Sequence, residues 1–379
     1  MPSYDAFLLL SFGGPEGPDE VLPFLENVTR GRGVPRERLA EVAEHYYAVG
    51  GVSPINAQCR ELLANVRAAG LDLPMYWGNR NWQPFLSDTV REMADAGVER
   101  AIAFVTSAYS SYSSCRQYLD DIERARAAVG PAAPQIDKIR RFYNHPGFVE
   151  PFAANVHAAL ATLPAEVRGE AHLVFTAHSV PVAMAATSGP PGDRGRYVAE
   201  LTEAARLITE RAGAGAHPWS LAFQSRSGPP SQPWLEPDVC DRLGELAKSG
   251  TRAVVVIPVG FVSDHMEVRH DLDVEAAETA GSLGLAFARA ATPGSHPAFV
   301  SMVTDLVRER LALPDDTASD DTASDDTASS AAPSSAGAIS TIRKQAPPGG
   351  GSSAHSRVEA SAAVGWSGPR SLTHSSVVV

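Results

Sequence analysis

AVVVIPVGFVSDHME, residues 253–267, is the stretch whose reading decides the fold. Its first seven residues are apolar, mostly β-branched and without polar alternation, the pattern of a strand covered on both faces in a parallel sheet. Gly260 ends the run, and Ser263 or Asp264 offers an N-cap for a helix that begins there. Glu267, Asp271 and Glu275 then recur every four residues, which puts three carboxylates on one helical face. Similar apolar runs occur at Ala6–Phe12, Ala101–Thr106, His172–Thr176 and Trp219–Phe223. Between them lie helical patterns at Pro35–Tyr47, Ala57–Ala69, Leu86–Ala96, Ser114–Ala128, Val149–Leu163 and Tyr197–Ala212. Strands alternating with helices predict an α/β, doubly wound fold with parallel sheets.

At 379 residues the chain is long enough for two lobes, and a hinge falls near Tyr143–Pro146. The expected division is an N-terminal α/β lobe over 1–145, a C-terminal α/β lobe over 146–313 and a tail over 314–379. That tail opens with a fivefold-spaced repeat, DDTAS-DDTAS-DDTAS at 315–329, followed by Ser-, Ala-, Gly- and Pro-rich sequence. Such composition cannot bury enough apolar surface to offset chain entropy, so the tail is expected to be disordered and to play no part in the chemistry. It carries −3 of the formal net charge of −12, leaving an acidic body. Nucleic acid is a poor partner for such a body, since phosphate binding needs basic surface.

Cys59, Cys115 and Cys240 are odd in number and far apart. Neither a disulfide framework nor a CxxC metal site is expected, and a reducing, cytoplasmic setting fits. The apolar run at Ala6–Phe12 has no basic region before it and stops at Gly13-Gly14. It is too short for a signal peptide or a membrane span and reads as the first strand.

Ligands in parallel sheets bind beyond the carboxyl ends of the strands. That rule selects Ser11–Gly14, Thr106–Ala108, Ala177–Ser179, Gln224–Arg226 and Gly260–Val262. His178 stands at one of these ends, where a neutral imidazole can ligate a transition metal or accept a proton near neutral pH, or can be a structural histidine. The carboxylate row suits a solvated helix face equally well. If it faces a crevice, it becomes a ladder able to pass a divalent cation inward or protons outward. Tyr109, Tyr112 and Tyr118 with intervening serines suit either a packed surface loop or a flat ligand with polar edges. Gly13-Gly14-Pro15 lacks the full dinucleotide spacing, and no nucleophile elbow surrounds Ser179.

Taken together, LLSFGGPE at 9–16, GGVSPI at 50–55, FTAHSVP at 175–181, FQSRSGP at 223–229 with Trp234–Pro237, and GFVSDHME at 260–267 resemble the ferrochelatase family over nearly all of Tyr4–Leu313. The histidine segment followed by GFVSDHME carries the specificity. The resemblance implies two Rossmann-like lobes with a tetrapyrrole in the cleft between them. It implies His178 and Glu267 as the catalytic, metal-handling pair facing each other across the macrocycle, with Asp271 and Glu275 as a relay. It implies Ser53, Tyr118, Phe12, Arg30 and Arg32 as porphyrin contacts. Phe12 replaces the Tyr or Met of some relatives and removes a weak oxygen ligand, and Thr29 stands where some have another Arg. The activity so implied is insertion of Fe²⁺ into coproporphyrin III with release of two pyrrole protons, in haem biosynthesis. The enzyme would be a cytoplasmic monomer with iron as substrate, no permanently bound cofactor and no iron–sulfur cluster. Alternatives are a protoporphyrin IX ferrochelatase, a cobalt or nickel chelatase acting on a sirohydrochlorin-type ring with His265 as second imidazole, and a haem or porphyrin carrier.

Overall fold

The computed structural model describes residues 4–31, 33–111, 116–190, 192–227 and 231–312. Arg32, Tyr112, Cys115, Leu313 and the whole tail with its repeat lie outside the described residues. The described chain builds two four-stranded, all-parallel sheets. The first holds β1 (Ala6–Ser11), β2 (Met75–Asn79), β3 (Arg100–Val105) and β4 (Gln135–Lys138) in the order β2-β1-β3-β4. The second holds β5 (His172–His178), β6 (Trp219–Gln224), β7 (Ala253–Ile257) and β8 (Ala286–Arg289) in the order β6-β5-β7-β8. The two orders are the same, so each half sends its first strand to the middle of the sheet.

Burial explains which strands periodicity finds. Every residue of β1 and β7 is buried, and β5 is buried up to His178. The three strands that the apolar runs miss are β2, β4 and β8, all at sheet edges. They are half-covered and so carry polar residues, as in the Gln-Ile-Asp-Lys of β4. Helices at Pro18–Val28, Val239–Lys248 and Pro297–Ala312 also add to the predicted set.

One apolar core joins the two halves. Phe104 of β3 stacks on Phe142 (4.9 Å between ring centroids) and meets Phe299 of the helix Pro297–Ala312 edge to face (6.1 Å). Phe148 and Phe152, from the helix Pro146–Thr162, continue that cluster to Phe175 of β5. Among the described residues no helix is long and apolar enough to cross a membrane. Cys59 and Cys240 are free thiols.

Candidate active site

The β5 strand ends at His178, beside Gln224 at the end of β6. Beyond β7 the chain crosses close under β5. A Cβ at Gly260 would lie 2.6 Å from the Ala177 Cβ, so only glycine admits this approach. The predicted helix start at Ser263 or Asp264 is not what forms. Asp264 is taken up by Arg289 of β8 (2.9 Å), and the helix begins at Met266 after an extended His265 without a side-chain cap. After a single α-turn, Met266–Val268, the backbone widens into a π-helix over Arg269–Ala276. Its hydrogen bonds skip five residues, a rare geometry that clusters at functional sites.

These two chain ends bring His178 Nε2 to 3.8 Å from Glu267 Oε2, with the side chains 17% and 11% exposed. His178 Nδ1 lies 2.5 Å from the Ser179 carbonyl oxygen. A carbonyl only accepts, so Nδ1 carries the proton and Nε2 presents a bare lone pair toward Glu267. Neither that nitrogen nor either Glu267 carboxylate oxygen has a hydrogen-bond partner, although all three are buried. Buried polar atoms are normally satisfied, and three unsatisfied acceptors facing one point form a donor set for a cation. Bonds of about 2.1 Å, typical of imidazole and carboxylate ligands, span up to about 4.2 Å in pairs, so one ion can touch both atoms.

Burial sets the charge states. It pushes the Glu267 carboxyl well above the usual carboxylate range, and the Asp271 charge adds to the effect. It pulls the His178 imidazole down, against the Ser179 hydrogen bond and Asp271. His265, edge-on to Phe261 at 5.0 Å, is held at about 4 by burial and by neighbouring His178. Tyr46 is kept protonated by burial and by the Glu267 and Asp271 carboxylates.

Asp271 and Glu275 follow Glu267 along the same helical segment, and Asp271 is buried rather than solvated, with Glu275 more exposed. Its Oδ2 accepts from Gln224 Nε2 (3.2 Å) and from the Ser225 hydroxyl. Ser225 holds φ at +58°, the only positive φ outside glycine among the described residues, in the left-handed region that serine rarely adopts. His270, which the spacing argument passes over, stands 3.6 Å from Asp271 Oδ1 and 3.8 Å from Glu275 Oε1 through its Nδ1. Its ring stacks on His45 at 3.8 Å and 8°. The neighbouring Asp271 carboxylate, with Glu275 beside it, raises its pKa against burial.

A pocket enclosing about 470 Å³ of empty space, mouth included, opens on this row. Phe24, Leu25, Val28, Val42, His45 and Tyr46 of the N-terminal half face Met266, Glu267, His270 and Asp271 across it. Its walls are apolar and its charged groups sit on one side, as in sites for large flat ligands.

The expected ring contacts are more scattered. Phe12 is half-buried, edge to face with Phe24 at 6.3 Å, and the Arg80 guanidinium lies 5.8 Å over its ring. Arg80 also covers Tyr118 at 4.9 Å and pairs with Asp121. Tyr118 is therefore packed in the first sheet's core and does not line the pocket. Ser53 is buried against Gly14, where a Cβ would lie 2.6 Å from its own, and its amide donates to Pro15 at 2.8 Å. Arg30 is exposed just past the helix Pro18–Val28. One expectation is overturned. A macrocycle needs about 3.5 Å of van der Waals clearance on each side, and the 3.8 Å between His178 and Glu267 leaves no room for one.

Comparison with known proteins agrees with the sequence resemblance. The family model described as Ferrochelatase matches residues 4–311. The coproporphyrin III ferrochelatase of Nocardia farcinica is 59% identical over 312 residues, covering 81% of this chain and 88% of that protein. Its namesake in Streptomyces coelicolor is 57% identical, covering 81% and 85%. The Mycolicibacterium smegmatis protein of the same name is 56% identical, covering 82% and 90%.

Proposed function

This chain belongs to the ferrochelatase family of metal chelatases, and from that premise we propose that it inserts Fe²⁺ into coproporphyrin III in haem biosynthesis. The observation that carries the reading is the buried triplet of unpartnered acceptors, His178 Nε2 with both Glu267 oxygens, at the apolar pocket. Metallation exchanges two pyrrole N–H protons for one dication, so the site must accept both protons and present iron, and in this reading His178 and Glu267 act together on one face of the ring. His178, neutral with its Nε2 lone pair free, takes one pyrrole proton. Glu267, once it has passed its own proton along the acid row, takes the second, and the iron enters as both protons leave. The raised pKa of Glu267 makes it a stronger base than an exposed carboxylate, suited to transfer near neutral pH. Asp271, His270 and the more exposed Glu275 then follow, with gaps of 3.6 and 3.8 Å about His270, and pass protons out or iron in.

Oxygen and imidazole ligands strip water from Fe²⁺ without holding it as firmly as thiolates do. The apolar walls grip the ring, and Phe12, Arg30, Arg32, Ser53 and Tyr118 contribute contacts or support around it. The reaction so written needs no resident cofactor. A monomer in the cytoplasm, working on a water-soluble tetracarboxylate, completes the proposal.

Anaerobic Fe²⁺ insertion, followed by absorbance with coproporphyrin III and protoporphyrin IX side by side, tests the substrate. Faster turnover of the protoporphyrin reverses the assignment. In the same assay His178→Ala should lose about 10²–10⁴ in kcat, the usual contribution of a positioned proton acceptor. A folded His178→Ala protein working at the parent rate removes His178 from the chemistry.

A further inference from the structure

We infer that Tyr197 and Tyr109 are positioning residues for metal insertion: their hydroxyls hold the backbone carbonyls beside His178 and ahead of Glu267, and so fix the separation of that pair. The inference rests on reading His178 and Glu267 as the metal-handling groups. Paired strands in the second sheet stop short of them, since the last β5–β7 partners are Phe175 and Ile257. Past that point one backbone bond remains, from the Gly260 amide to the Thr176 carbonyl at 3.0 Å. The two strand ends would otherwise be free to splay. Tyr197 OH donates to the His178 carbonyl at 2.9 Å, and Tyr109 OH donates to the Val259 carbonyl at 2.8 Å. The two rings meet edge to face, 6.5 Å apart at 88°, so each hydroxyl is set by the other's packing.

The pair has a stiff mounting. Tyr109 comes from the first sheet, at the loop after β3, where its ring stacks on Tyr143 at 5.9 Å and meets Phe148 at 6.0 Å. Tyr197 sits in the first turn of the helix Arg196–Arg211, and Glu200 follows three residues later on the same face. The Glu200 carboxylate is fully buried. It accepts from the Ser110 amide (2.6 Å), the Ser110 hydroxyl (2.7 Å) and Arg141 (2.9 Å). One helix thus grips the residue next to Tyr109 while its own tyrosine grips His178. Supporting hydrogen bonds of this kind hold a reacting pair to within a fraction of an ångström, and loosening them costs rate without removing any reacting group.

Tyr197→Phe and Tyr109→Phe keep the packed rings and remove only the hydroxyls. Tyr4→Phe is the matched control: it deletes another buried tyrosine hydroxyl, bonded to Asp137 at 2.8 Å, ahead of the opposite end of β1. Three readings are taken on the full chain: anaerobic iron insertion into coproporphyrin III, Co²⁺ affinity without porphyrin, and the thermal midpoint. Each of Tyr197→Phe and Tyr109→Phe is expected to lower kcat and Co²⁺ affinity about ten-fold, with porphyrin KM within about two-fold of the parent. Tyr4→Phe should lower the thermal midpoint by a similar amount and leave kcat and Co²⁺ affinity at the parent values. Parent kcat and Co²⁺ affinity in Tyr197→Phe, or losses that merely track those of Tyr4→Phe, overturn the inference. Should Tyr197→Phe not fold, Tyr109→Phe decides by the same readings. A parent that inserts no iron while its Co²⁺ affinity still drops in both variants sinks the functional reading and leaves the positioning role standing.

Discussion

Replacing Glu267 with leucine should stabilise the protein while disabling it. The side chain is 11% exposed, and both carboxylate oxygens are buried without partners. A buried polar atom left unsatisfied costs about 1–3 kcal/mol, and leucine of similar size removes the acid outright. The sign with pH follows from linkage. The folded-state pKa lies well above the ordinary 4.5. Between those two values the folded protein keeps a proton that the unfolded chain has released, so parental stability falls as pH rises through the window. Leucine carries no such penalty. The gain from Glu267→Leu should therefore be smallest near pH 4 and grow toward pH 8, where about 1–3 kcal/mol corresponds to a Tm several degrees higher. Thermal unfolding of both proteins between pH 4 and 8 gives the answer, with iron insertion expected to fall about 10²–10⁴-fold in the same samples. A leucine variant no more stable than the parent at pH 8, or a gain that shrinks as pH rises, would refute the claim that this carboxyl is a strained acid kept for chemistry.

Two further outcomes follow from the same site. Because Glu267 must ionise to receive a proton or an ion, the pH–rate profile should rise on an acid limb above the usual carboxylate range. Asp271→Asn removes one of the two causes of that raised pKa, so the limb should move to lower pH; an unmoved limb would mean another group titrates there. Ser225→Ala frees the Asp271 carboxylate from its hydroxyl donor and should cost about ten-fold in kcat with porphyrin KM unchanged; full activity would make the Ser225 contact incidental.

The sequence exposes this fold where strands are buried on both faces. The AVVVI of β7 and the LVF within β5 have no polar residue to interrupt them, whereas the edge strands β2, β4 and β8 meet solvent and read as loop. The imidazole at 178 is visible as a strand-end residue, because that position is fixed by chain direction alone, and the acid at 267 is visible as the first of three carboxylates spaced four apart. What local pattern cannot reach is pairing across the fold. The stacking of His45 on His270 joins residues 225 apart in sequence, and Arg80 reaches Phe12 and Tyr118 only through tertiary packing. The 3.8 Å separation of His178 and Glu267 is likewise a distance across the fold, and spacing along the chain carries no information about it. The late helix start has a local look but a remote cause, since Arg289 on β8 claims the aspartate that would have capped it.

The widened coil at Arg269–Ala276 gives the acid row an unusual genetic character. In a regular α-helix, residues four apart drift about 40° around the axis at each step, so Glu275 would end about 80° away from Glu267. With bonds that skip five residues the turn is wider and each residue turns less, so that forward drift is removed over Arg269–Ala276. The alignment is therefore a matter of residue count between the acids and belongs to no single side chain. Losing one codon between Glu267 and Glu275 would leave a spacing of seven, which a regular α-coil turns to within about 20° of two full turns, so the acid row would survive the loss of the wide coil.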